Sequence, residues 1–132
     1  MTTGGKPRIL VVEDDPDQQL LYTEFLGREG FDIETAATAD QALASMNESV
    51  PAALILDMAM SGSSGLSVLN SVRENPKTSA VPIIVVTGVS KSDDLWQGRE
   101  WGWDHYVEKP ADIGKLAVLL REVTAKSSSE EG

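Results

Sequence analysis

Three stretches of this chain are too apolar to lie on a surface: Ile9-Leu10-Val11-Val12, Ala52-Ala53-Leu54-Ile55-Leu56 and Ile83-Ile84-Val85-Val86. Each has the length of a strand, and none alternates apolar with polar residues. Strands of this kind are buried on both faces, as in parallel sheets. Parallel neighbours cannot be joined by a tight turn and need a crossover, usually a helix. The sequence between the runs therefore has to supply helices.

It does so five times. The first strand, about Arg8 to Val12, is followed by Asp15 as a cap and by Pro16, which suits a first helical turn because its missing N–H costs nothing there. Leu21 and Phe25 stand at i and i+4 and are expected on the inner face of that helix, which Gly30 ends. Phe31 to Thr35 reads as a less apolar edge strand. Thr38 and Gln41 have capping-box spacing, and Ala39, Ala42, Leu43 and Met46 repeat at helical intervals before Pro51. Ala52 to Leu56 is the third strand. Gly65 to Glu74 forms a third helix with Leu66, Leu69 and Val72 inward, and Pro76 breaks it. Pro82 to Val86 is the fourth strand. A weakly patterned fourth helix is anchored by Leu95 and Trp96, and Asp104 to Val107 is the fifth strand. Ile113, Leu116, Ala117, Leu120 and Val123 mark the clearest helix. Short connections and right-handed crossovers give one five-stranded sheet with helices on both faces.

The chain of 132 residues reads as one domain over 7–125, flanked by a disordered N-terminus (1–6) and a disordered polar tail (126–132). Without cysteine it has no disulfide framework and no thiolate metal site. No apolar run is long enough for a membrane span, and no signal peptide opens the chain, so a cytoplasmic protein with no membrane partner is expected. The formal net charge of −10 argues against nucleic acid as a partner.

The chemistry gathers where the strands end. Glu13 and Asp14 follow the first strand, Asp57 the third, Thr87 the fourth, and Lys109 comes just after Tyr106-Val107. The carboxyl ends of the strands are where open α/β folds keep their sites. Carboxylates are hard oxygen ligands that suit Mg²⁺, and a carboxylate can attack phosphorus to form an acyl phosphate. A lysine ammonium and a threonine hydroxyl can hold phosphoryl oxygens. One acid would then be the nucleophile, its neighbours the metal ligands, and Thr87 and Lys109 the phosphoryl binders.

This set resembles the receiver domain of two-component signalling, of the single-domain, chemotaxis-regulator type. The resemblance covers about Arg8 to Lys126. It is carried by Glu13-Asp14, Asp57, Met60, Gly65, Thr87, Tyr106 and Lys109-Pro110 in order and at the expected spacings. It implies a flavodoxin-like, doubly wound sheet of order 2-1-3-4-5. It also implies Asp57 as phosphoacceptor, Asp14 as direct metal ligand, Glu13 as a ligand through water and the Ala59 carbonyl as a further ligand. The cofactor would be Mg²⁺, with Mn²⁺ able to substitute. Thr87 and Lys109 would contact the phosphoryl group, Tyr106 would be the aromatic switch, and Lys109–Pro110 would be a cis bond.

The implied function is to take a phosphoryl group from a histidine kinase or a histidine phosphotransfer protein onto Asp57. The domain would then switch binding to a downstream protein through its fourth-helix, fifth-strand, fifth-helix face. It would be a signalling switch rather than an enzyme. The alternative on the same fold is a phosphorylation-independent interaction module, which usually lacks the acid pair, the Asp or the Lys. An aspartyl hydrolase would need a second acid beside the nucleophile, and Ala59 stands there instead.

Asp15 and Asp17 read as helix-start acids, and His105, the only histidine, as a solvent-facing strand residue. Trp96, Trp101 and Trp103 are candidates for the partner face, because tryptophan is enriched at interface hot spots; alternatively they fill space left by Gly98, Gly102 and Ala111. Ser61 replaces the proline usual after Met60, and Gly88 follows Thr87 where alanine or serine is common. Ala59 and Val89 are non-polar at positions that tune dephosphorylation in the family. Neither can hold an attacking water by hydrogen bond, so the acyl phosphate is expected to outlive that of fast chemotaxis regulators. A half-life of seconds for the purified Mg²⁺ form would contradict this.

Overall fold

The computed structural model describes residues 6–57, 64–87, 102–108 and 112–131. Along the chain these form β1 (Arg8–Val12), α1 (Pro16–Arg28), β2 (Asp32–Ala36), α2 (Ala39–Glu48), β3 (Ala53–Asp57), α3 (Ser64–Glu74), β4 (Ile83–Thr87), β5 (His105–Glu108) and α4 (Ile113–Glu131). The expected helix around Leu95 and Trp96 lies outside the described residues, so α4 is the last helix of the sequence reading. All strand pairs are parallel, in the order β2-β1-β3-β4-β5. No helix among the described residues is long and apolar enough to cross a membrane.

The apolar runs divide their side chains between two cores, as alternation along a strand requires. Leu10, Val12, Leu54, Leu56, Ile83 and Val85 face α2 and α3, where they meet Ala42, Met46, Val68, Leu69 and Val72. Ile9, Val11, Ala53, Ile55, Ile84 and Val86 face α1 and α4, where they meet Tyr22, Leu26, Leu116, Ala117, Leu120 and Val123. Both faces of the central strands are thus covered, and the expected doubly wound sheet is present.

The helix starts follow the capping chemistry. Asp15 Oδ1 accepts from the Asp17 N–H at 2.9 Å, with Pro16 as the first helical residue of α1. Thr38 Oγ1 accepts from the Gln41 N–H at 3.1 Å, and Gln41 Oε1 reaches back to the Ala37 N–H. Gly30 leaves α1 with φ +103°, a conformation side chains resist.

Several expectations shift. The buried face of α1 is Tyr22 and Leu26, not Leu21 and Phe25; Leu21 is 45% exposed and Phe25 half-buried. The cap at Asp15 sets the helix phase, and the i, i+4 pair one residue later is the one turned to the sheet. β2, β3, β4 and β5 each begin and end one residue later than read from the sequence, so Asp57 and Thr87 are the last residues of their strands. The backbone of α4 continues to Glu131 through the stretch read as a polar tail, since no breaker stands before Gly132. His105 is half-buried rather than solvent-facing.

Trp103, proposed for a partner face, is 8% exposed and packs in the α2/α3 core. The chain reaches it through Gly102, whose φ is +94° and whose missing Cβ leaves room for Arg73 Cγ; an added Cβ would lie 3.2 Å from that atom. Arg73, near the end of α3, ties this corner together. Its guanidinium donates to Gly102 O (2.7 Å), Ser79 O (2.8 Å), Val81 O (2.7 Å) and Asp104 Oδ2 (2.8 Å). Asp104 Oδ2 also accepts from the Ile83 N–H at 2.8 Å. A planar five-donor fork is needed to serve these acceptors at once. Arg73→Ala is expected to lower unfolding free energy by about 2–4 kcal/mol, because it strands carbonyls and a carboxylate. Arg73→Lys should recover only part of that, as measured by urea denaturation.

Candidate functional site

The site is built at the carboxyl ends of β1 and β3. Val12 pairs with Leu56, so the next residues, Glu13 and Asp57, stand at one level on adjacent strands. Glu13 extends the pairing of β1 with β2 by donating its N–H to Ala36 O at 2.9 Å. Each shares the parity of the residues that face α1 and α4. Both are buried, at 2% and 3% exposure. Charged groups are almost never buried so deeply without compensation. Part of it comes from the turn into α1: the Asp15 N–H donates to Glu13 Oε2 (3.1 Å), and Gln19 Nε2 donates to the Glu13 carbonyl (2.6 Å). Asp14, between Glu13 and the cap, is exposed.

Around this pair the structure places the other candidates unevenly. Asp57 pairs with Val86, and Thr87, at the end of β4, pairs with Glu108 of β5. The backbone of Thr87 is therefore one residue beyond the acceptor level. Tyr106 is half-buried on β5, opposite Val85, and packs on the α2/α3 core. Its ring centroid is 5.5 Å from that of Trp103, with the planes tilted by 57°. Lys109, Pro110 and Ala111, Ala59, Met60 and Ser61, and Gly88, Val89, Trp96 and Trp101 lie outside the described residues. Asp15 and Asp17 act as cap and first-turn acid, as expected.

Among the described residues, no group of three or more His, Cys, Asp or Glu side chains forms a metal cage. Mg²⁺ does not require one, since it binds through one or two carboxylates and keeps several waters. Two buried carboxylates at one level, with a third acid exposed beside them, fit that demand. Their mutual repulsion is what a divalent cation relieves.

Tyr22 is the residue that sequence reasoning missed. It is 1% exposed in the α1/α4 core. Helical side chains lean toward the helix N-terminus, which here is the acid edge. Burial first, then the charges of Glu13 and Asp57, push its phenol from 10.0 up to about 12. A pKa raised in the folded state gives stability that is complete below the unfolded value and is lost as pH rises through the folded one. The protein should therefore lose stability between about pH 10 and about pH 12. Tyr22→Phe is expected to flatten this decline, and Asp57→Asn to bring the phenol down. Tyrosinate absorbance titration and urea denaturation across that range are the checks.

Comparison with known proteins agrees with this geometry. The model of the response regulator receiver domain matches residues 9–121. The phosphate regulon transcriptional regulatory protein PhoB of Rhizobium meliloti is 32% identical over 124 residues, covering 94% of this chain and 55% of the relative. The DNA-binding response regulator MtrA of Mycolicibacterium smegmatis is 34% identical over 125 residues, covering 95% and 54%. Among solved structures, a CheY-like response regulator receiver domain protein of Methanospirillum hungatei superposes with a TM-score of 0.83 at 25% identity, covering 96% of this chain and 99% of that one.

These relatives correct one expectation. The acidic charge argues against nucleic acid as a partner, yet the matched proteins include a DNA-binding response regulator and transcriptional regulatory proteins. The chain spans about half the length of those relatives (55% and 54%). A net charge of −10 belongs to this chain and sets no limit on the partners of its longer relatives. Buried acids at the ends of β1 and β3, the sheet order and the matched residues together make this chain a member of the family of response regulator receiver domains.

Proposed function

We propose that Asp57 accepts a phosphoryl group from a histidine kinase or a histidine phosphotransfer protein in the cytoplasm, with Mg²⁺, and that the new charge switches partner binding. The binding face would be built from β5, α4 and the expected helix between β4 and β5. The supporting observation is the buried pair Glu13 and Asp57, level with one another at the carboxyl ends of β1 and β3. A buried acid pair is a costly arrangement for a module that only packs against a partner.

In the proposed step an Asp57 carboxylate oxygen attacks phosphorus, the phosphorus–nitrogen bond of the donor's phosphohistidine breaks, and the imidazole leaves with the bonding pair. Receiver domains generally bind Mg²⁺ at their acidic pocket. Here Asp57, Asp14 and Glu13 would hold it together with the Ala59 carbonyl. When bound it neutralises charge between the carboxylate and the phosphoryl oxygens. Lys109 would supply a cation and Thr87 a hydroxyl to the transferred group. Burial keeps bulk water from the acceptor. Tyr106 would follow Thr87, which gives the two states different contacts and so a population shift.

Incubation with acetyl phosphate and Mg²⁺, read by intact mass, should give one phosphoryl adduct. The adduct should vanish with a chelator and in Asp57→Asn. An adduct that survives in Asp57→Asn would move the acceptor elsewhere. Absence of both an adduct and beryllofluoride binding would end the switch reading.

A further inference from the structure

The inner stripe of α1 ends in an amide. Gln18, Tyr22 and Leu26 recur at i, i+4 and i+8, a spacing that puts them on one helix face. Leu26 and Tyr22 are buried in the α1/α4 core together with Val11 and Ile55. Gln18, one turn nearer the helix start, is half-buried. Four helical residues cover about 6 Å, and two strand residues cover about 6.6 Å. The step from Tyr22 back to Gln18 thus matches the step from Val11 and Ile55 on to Glu13 and Asp57, on the same side of the sheet. That first turn is fixed against the acid edge. The Asp17 N–H donates to Asp15 Oδ1 at 2.9 Å, the Asp15 N–H to Glu13 Oε2 at 3.1 Å, and Gln19 Nε2 to Glu13 O at 2.6 Å. Of the two adjacent glutamines, Gln19 is committed to Glu13, whereas the Gln18 carboxamide makes no hydrogen bond among the described residues. It keeps a donor and an acceptor for a small polar molecule beside the buried Asp57.

We infer that Gln18 is a positioning residue for the water that hydrolyses the acyl phosphate on Asp57. Its carboxamide oxygen accepts from the attacking water, and its amide N–H donates to a phosphoryl oxygen. A glutamine carboxamide orients the attacking water in nucleotide hydrolysis by the same chemistry. The water oxygen attacks phosphorus, the bond from phosphorus to the Asp57 oxygen breaks, and the carboxylate leaves with the bonding pair. One proton of the water stays on the attacking oxygen, the other passes to a second phosphate oxygen, and inorganic phosphate departs. At a buried acceptor the water has to be held, and the inner stripe of α1 offers the group that holds it. The Tyr22 hydroxyl stands one turn deeper in the core. This inference rests on the phosphoacceptor reading of Asp57.

The test measures two rates on the full chain. Phosphoryl gain from acetyl phosphate and Mg²⁺ is followed by intact mass, the donor is removed, and phosphoryl loss is followed in the same way. Gln18→Met keeps the length and the helix preference of the side chain and removes the carboxamide. It should slow loss by roughly tenfold, the scale of one hydrogen bond, and slow gain far less, because gain consumes no water. Leu21→Ala, on the exposed side of the same helix, should lose the phosphoryl group at the wild-type rate. Loss at the wild-type rate in Gln18→Met, an equal slowing of its gain and loss, or the same slowing in Leu21→Ala overturns the inference and leaves the phosphoacceptor reading intact. Absence of an adduct on the wild type overturns both.

Discussion

The lateral pairing of β1 with β3 is the constraint from which the site follows. Val11 lies opposite Ile55 and Val12 opposite Leu56, and each of these side chains is committed to one of two cores. A slip of one residue would turn every side chain to the wrong face. A slip of two would keep the faces but move Asp57 by about 6.6 Å along the strand and break its level with Glu13. Burial on both faces, which the apolar runs impose, is therefore also what fixes two carboxylates side by side.

That placement costs stability, and the cost falls where a small polar ligand can offset it. Two buried acids repel each other, and their charges reach the phenol of Tyr22 beneath them. The hydrogen bonds around Glu13 come from the turn into α1 and hold one acid in place without removing the repulsion. The apolar cores on either side supply the free energy that keeps such a pair folded, at about 1.5–3 kcal/mol for each fully buried aliphatic side chain. Under the proposed function, a cation between the acids would lower the cost, and a phosphoryl group would change the charge at a fixed place. The charge at this edge already reaches the α1/α4 core, where it adds to burial in raising the Tyr22 phenol.

Sequence reasoning succeeded where one local rule decided the outcome. The Asp15 cap with Pro16 behind it, the capping pair Thr38 and Gln41, and the periodicity of Ile113 to Val123 each have a single physical solution. The acids at the strand ends were readable because apolar runs stop abruptly at them. It failed where two solutions compete locally and tertiary packing chooses between them. Leu21 with Phe25 and Tyr22 with Leu26 are both i, i+4 pairs, and the more hydrophobic pair lost because the helix phase was already set at its cap. Trp103 read equally as a surface anchor and as filling, and the left-handed turn at Gly102 sends it inward. The Arg73 fork left no trace in the sequence, since its acceptors are three backbone carbonyls and one distant carboxylate.

The acid pair and the aromatic pair lie on opposite faces of the sheet, so a signal between them must pass through a strand that touches both. β4 is that strand. It pairs with the acceptor strand through Val86 opposite Asp57, and with the aromatic strand through Val85 opposite Tyr106. Ile84 and Val86 belong to the α1/α4 core, Ile83 and Val85 to the α2/α3 core. Its beginning is tied down, because Ile83 donates to Asp104 and Asp104 is held by Arg73. Under the proposed transfer, a charge change at Asp57 would act at the other end of β4, beside Thr87, where the strand has Asp57 of β3 on one side and β5 on the other. The Arg73 clamp makes the beginnings of β4 and β5 a fixed reference against which a shift at their carboxyl ends acquires direction.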